Sequence, residues 1–275
     1  MNKSCRTFLL TTLLACTYSH ATNEPGLREY QLAIETRDQV TRLLQEVEQT
    51  SGEIASPTKT EEMRSLLLEY APKYIEHLKA SSDLGFPPAQ FLYAQTFKEQ
   101  AATAEDGIRN KKKACKLLDR AAQRGLLAAS VGKASYCGFF NGDFSAMIKA
   151  VNEAHDQLAA TLKQADAYAP YYPLKAFVFP NCFEPAVPVG ETNALKEMSP
   201  LQRAQTLALP LLTLEETQAQ ANFLLALHRQ LTKNGVAEQY KYITQAENLG
   251  CSSALFVATQ NSLRETQTKS RPISE

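Results

Sequence analysis

The sequence predicts an all-α fold, an α-solenoid of helix pairs interrupted by one Pro/aromatic-rich insertion. Composition is the first reason: Leu, Ala, Gln, Glu and Lys dominate most segments and β-branched runs are nearly absent, which favours helices over strands. The stretch Lys112 to Cys137 is the second. Its apolar residues Ala114, Leu117, Leu118, Ala121 and Ala122 recur at three and four, the face of an α-helix, and Gly125 then supplies the left-handed residue that stops it. Another helix follows at once, from Ala128 to about Phe140, making an αα-hairpin. The third is recurrence. Ala89, Ala129, Ala221 and Ala254 anchor similar strings, and two of their separations, 40 and 33, fall in the range of two-helix repeats.

The elements follow in order. Lys3 and Arg6, the apolar run Phe8 to Ala15 and the small residues before Thr22 have the form of a signal peptide over 1–21. A second reading takes Leu13-Leu14-Ala15-Cys16 as a lipobox, so that 1–15 is removed and Cys16 is lipidated. Both remove Lys3 and Arg6 and no acid, leaving 27 basic against 29 acidic residues. Such a balance, with no basic block beyond Lys111 to Lys113, argues against a nucleic-acid partner. No later stretch of 18 apolar residues exists to span a membrane.

Residues 22–58 read as a lead, a helix from Leu27 to about Thr50 and a linker from Ser51 to Thr58. Residues 59–168 read as helical repeats. A helix starts at Thr60, with a kink or restart expected at Pro72. Asp83-Leu84-Gly85 ends it, Pro87-Pro88 opens the next, and a loop is expected from Lys98 to Arg109. After the hairpin comes a helix over Asp143 to Ala167 with Met147, Val151, Ala154, Leu158, Leu162 and Ala165 as its stripe. Residues 169–198 are the insertion, where prolines 170, 173, 180, 185 and 188 leave no helix of useful length. Residues 199–264 resume the repeats, with a helix over Leu201 to Leu212 broken at Pro210, then Leu214 to Leu231 and Ala237 to Leu249. A polar tail over 265–275 ends the chain.

Lys113-Ala114, Leu117, Leu118, Ala121-Ala122, Gly125 and Ala129 resemble the pattern K-A-x-x-aromatic-aromatic-x-x-A-A-x-x-G-x-x-x-A of Sel-one-like repeats, relatives of tetratricopeptide repeats. The resemblance extends over residues 74–137 and 219–260. It departs from the pattern at Leu117 and Leu118, where aromatics are usual, and in the loop after Lys98. It implies a concave face that holds partner proteins. Small exported proteins with a few such repeats include immunity proteins that block phospholipase effectors delivered by type VI secretion. The resemblance therefore implies a periplasmic protein of a Gram-negative bacterium, with an outer-membrane anchor under the Cys16 reading, whose partner is a secreted lipase or phospholipase. The alternative is an envelope scaffold assembling a secretion or polysaccharide complex.

Cys115, Cys137, Cys182 and Cys251 remain after either cleavage, and an oxidising compartment makes them disulfide candidates. Reflecting one helix on the other about the Gly125 turn sets Cys115 level with Cys137, and elimination leaves Cys182 with Cys251; the competing reading of the second two is as small buried hydrophobes. No nucleophile elbow, phosphate-binding loop, dinucleotide turn or zincin helix occurs, so no catalytic residue, cofactor or metal is expected. His77, His155 and His228 fall on three different helices and read as surface or core residues. Glu61-Glu62 and Glu215-Glu216 sit at helix starts, where the dipole accounts for them. Tyr171, Tyr172, Phe177, Phe179 and Phe183 are the candidate partner-binding residues; the competing reading is that they plug the gap between two halves of the array. Phe91, Tyr93, Phe97 and Phe223 read as core.

Overall fold

The computed structural model describes residues 24–50, 57–99, 103–137, 144–164, 166–183, 198, 200–230 and 236–254. Both cleavage sites, Cys16, the 51–56 linker and the tail lie outside the described residues.

The protein is all-α. Nine α-helices are described: α1 Leu27–Thr50, α2 Pro57–Asp83, α3 Pro87–Glu99, α4 Ala104–Gln123, α5 Leu127–Tyr136, α6 Phe144–Leu162, α7 Pro200–Leu207, α8 Leu214–Gln230 and α9 Val236–Asn248. From α1 to α6 each packs on its neighbour in the chain, and α8 then packs on α5, α6 and α9. Helix α8, the second after the insertion, thus takes the next place in the series.

One local device sets the pairing. Gly85, Gly125 and Gly250 all have φ near +90°. At each, the glycine N–H donates three residues back and the following N–H five residues back: Gly85 to Ser82 and Phe86 to Ser81, Gly125 to Ala122 and Leu126 to Ala121, Gly250 to Glu247 and Cys251 to Ala246. These are three copies of one helix stop that satisfies orphan carbonyls and turns the chain. Four residues beyond each glycine stands a fully buried alanine, Ala89, Ala129 or Ala254. Ala221 is equally buried.

Several boundaries differ from the sequence reading. Helix α2 starts at Pro57 and runs through Pro72 without a break. Pro72 is exposed, and Leu68, whose carbonyl loses its helical donor, is 65% exposed, so the proline falls on the open side of the helix. The loop expected from Lys98 to Arg109 is shorter, because α4 begins at Ala104. Thr103 caps it, its hydroxyl accepting the Asp106 N–H at 3.1 Å. Helix α5 begins at Leu127, and Phe140 lies outside the described residues. The helix expected over Leu201 to Leu212 stops at Leu207, and Leu211–Leu212 is a strand, β2, antiparallel to β1, Leu174–Lys175. Thr213 then opens α8 with a reciprocal cap, its N–H donating to Glu216 Oε2 at 2.7 Å and its hydroxyl accepting the Glu216 N–H at 3.2 Å.

Candidate functional site

The insertion decides which surfaces remain open. Residues 166–183 run across α1, α3, α5 and α8, touching one after another. Tyr171 packs edge-on to Tyr30 of α1, with ring centroids 5.6 Å apart. Gln95 of α3 donates to the Lys175 carbonyl at 2.7 Å, and Lys98 donates to the Phe177 carbonyl. Phe177, 3% exposed, lies between Phe91 and Tyr136 and against Gly132, where an added Cβ would come within 3.1 Å of it. Gly132 is therefore the space in α5 that lets the insertion lie close.

The insertion also completes a helix that cannot cap itself. Leu126 offers α5 no side-chain acceptor. Asp166 Oδ2 accepts the Leu127 N–H at 3.1 Å, and the Tyr172 hydroxyl accepts the Ala128 N–H at 3.0 Å while donating to Asp166 at 2.8 Å. Burial, then the neighbouring Asp166 carboxylate, push the Tyr172 hydroxyl far above its ordinary pKa. Tyr168 donates to Glu24 at 2.9 Å, and burial with that bond pushes it up to about 12.

Of the five aromatics expected at a partner surface, Phe177 is buried, and Tyr171 and Tyr172 are partly buried against the main core. Phe183 is half-buried against a second packed group around Phe223 and Ile243. Only Phe179 is presented outward, at 51% exposure. These contacts fit the competing reading, in which the aromatics of the insertion pack against the helices beside them. Phe91 and Phe223 are core as expected, with Tyr93 and Phe97 partly buried beside it.

Both cysteine pairs are joined: Cys115 to Cys137 with Cα atoms 5.7 Å apart, and Cys182 to Cys251 at 4.7 Å. The first staples α4 to the end of α5. The second ties Cys182 of the insertion to the turn after α9, where the Cys182 N–H donates to Gln220 of α8 at 3.0 Å and the Ser252 N–H donates to the Cys182 carbonyl at 3.1 Å.

Beyond the insertion's far edge lies a cleft of about 890 Å³ between α5, α6 and α8. Its floor is Ala134, Val151, Leu224 and the histidines 155 and 228; Val178, Phe179 and Asn181 of the insertion form one wall. Phe144, Ile148 and Phe179 stand at its edge, 71%, 44% and 51% exposed. Among the described lining residues there is no Asp, Glu, Lys or Arg. The first two turns of α6 thus present apolar side chains that no described helix covers, whereas Ala154 and Leu158 further along are buried.

His155 and His228 were separate in the sequence and meet here. Their rings stack 4.0 Å apart at 14°, both nearly buried, and His155 Nδ1 lies 2.7 Å from the Val151 carbonyl. That contact places the Nδ1 proton. Ser135, the one hydroxyl among the described lining residues, donates to the Val131 carbonyl at 2.9 Å. His77 stands apart, 2.8 Å from Glu29 across α1 and α2. A second cleft, about 750 Å³ beside α1, is lined by Arg37, Asp38 and Lys175 as well as tyrosines, and Arg37 and Asp38 are paired at 2.8 Å. The chain matches no family model, no curated protein and no solved structure.

Proposed function

We propose that this chain is a non-enzymatic, exported protein-binding repeat protein, and that the uncharged cleft is where its partner docks. The observation that carries this reading is that Phe144, Ile148 and Phe179 stand exposed around one cleft whose described lining residues include no Asp, Glu, Lys or Arg. Exposed apolar side chains gathered in this way mark interaction surfaces. The disulfides suit an oxidising compartment, and the periplasm is the compartment we assign. No described helix is long and apolar enough to cross a membrane.

The partner is a secreted phospholipase, neutralised by occlusion, in keeping with the Sel-one-like resemblance. The mouth of a lipolytic site must admit acyl chains and is itself apolar, so it is complementary to a cleft without charge. The test is an inhibition assay in which the mature protein is added to secreted phospholipases of the type VI effector class. Stoichiometric inhibition is expected, weakened at least about tenfold, or about 1.4 kcal/mol, by Phe179→Asp or Ile148→Asp. Inhibition that both variants leave intact would remove the cleft from the reading. Capture of secretion or polysaccharide components with no effect on lipolysis would favour a scaffold instead.

A further inference from the structure

The two disulfides do different work. Cys115 and Cys137 join consecutive helices whose pairing the Gly125 turn already fixes. Cys182 and Cys251 join elements 69 residues apart, and Cys182 directly follows Asn181 of the cleft wall. Phe177 is held by aromatic packing on Phe91 and Tyr136, with Val178 partly buried beside it and Pro180 buried further on. From there the chain passes Val178, exposed Phe179, Pro180 and Asn181 before it reaches Cys182. Three of those residues, Val178, Phe179 and Asn181, form a wall of the cleft.

Cys182 is also hydrogen bonded, to Gln220 and Ser252. Such bonds exchange with water and are worth on the order of 1 kcal/mol each. The covalent link does not exchange. Both cysteines are nearly fully buried, at 0% and 2% exposure, so the link is shielded once made.

We propose that Cys182, Cys251 and Gln220 are positioning residues of the docking cleft, and that the Phe179 wall is set in place only when the Cys182–Cys251 bond forms. The reaction is thiol–disulfide exchange: the two thiols lose two protons and two electrons to an oxidising disulfide of the export compartment, which becomes a dithiol. The chain in a reducing compartment then has its helices without a finished docking wall. Export completes the site.

This inference rests on the docking reading, and its test needs no partner. The protein contains no tryptophan, so Phe179→Trp gives a single reporter on the wall. Acrylamide quenching and anisotropy of that Trp are compared in three backgrounds: both disulfides intact, Cys182→Ser with Cys251→Ser, and Cys115→Ser with Cys137→Ser. Removing the Cys182–Cys251 link is expected to raise the quenching constant about twofold and lower anisotropy, with helical circular dichroism retained. Removing the other link should leave the reporter as in the parent. An unchanged Trp in the Cys182/Cys251 background overturns the proposal. So does loss of helicity there, since the link would then hold the fold rather than the wall. Failure to inhibit any phospholipase, with the Trp behaving as expected, would count against the docking partner alone.

Discussion

Gly26 and Gly125 share a backbone conformation and differ in surroundings, so they separate two costs of replacing a glycine. Their φ values are +88° and +93°. A Cβ at Gly125 would meet nothing within 4 Å, whereas at Gly26 it would lie 2.7 Å from the Ser81 carbonyl oxygen. Gly125→Ala is expected to cost about 1–2 kcal/mol, the penalty of a left-handed L-residue. Gly26→Ala should cost more, because Ser81 also donates to the Gly26 carbonyl at 2.7 Å and cannot withdraw freely. Equal losses in urea melts would show the Ser81 contact to be slack. The tyrosines make a second prediction at this scale. Burial raises the hydroxyls of Tyr30, Tyr168 and Tyr172, all neutral in the fold. A group whose folded pKa exceeds its unfolded value, about 10 for tyrosine, contributes stability that is complete below that pH. That contribution is lost as pH rises through the folded values, about 12 for Tyr168. Tyrosinate absorbance should therefore show exposed residues titrating first, then a cooperative step in which the fold opens. A single smooth titration of all tyrosines near their ordinary pKa would contradict it.

Among the elements, the α4–α5 hairpin is the one whose parts can be weighed separately. Its disulfide spans 22 residues, and a closed loop of that length stabilises by about 3 kcal/mol in the chain-entropy account. Cys115→Ser with Cys137→Ser should lower stability by that order without changing helix content, as read by denaturant melts with circular dichroism. This hairpin was also the most legible part of the sequence, because everything that defines it is local: a stripe at three and four, a glycine stop and small residues across the turn. Even the disulfide followed from reflection about Gly125. The start of α4 is equally local, in Thr103 and Asp106, but a cap carries no apolar periodicity, so periodicity alone places the helix start too late. The strands β1 and β2 were not legible. Two-residue strands carry no alternation to read, and their register depends on the insertion being seated first. The cleft was hidden for a related reason. Phe144 and Ile148 look like core positions beside the α6 stripe, and only the absence of a covering helix among the described residues leaves them outward. His155 and His228 meet only because α8 returns to α6 past the insertion.

At the scale of the whole molecule, the insertion changes how the array is held together. Stacked helix pairs touch only their neighbours, so stability in such arrays is a sum of local terms and the two ends can unfold separately. Here residues 166–183 touch α1, α3, α5 and α8, and Cys182 is tied to the turn after α9. The ends of the array are thus coupled through a segment that belongs to neither. Phe177 is the centre of that coupling, since its ring joins Phe91 of α3 to Tyr136 of α5 above Gly132. The intact protein should unfold in one transition, with fluorescence and circular dichroism coincident. Phe177→Ala should cost about 3–5 kcal/mol, as for other buried aromatic truncations. Beyond that loss it should uncouple the two ends, so that hydrogen exchange in α1 to α3 and in α8 to α9 reports different opening free energies where the intact protein reports one. If Phe177→Ala lowers stability while both ends still open together, the coupling runs through the helices themselves and the insertion only caps α5.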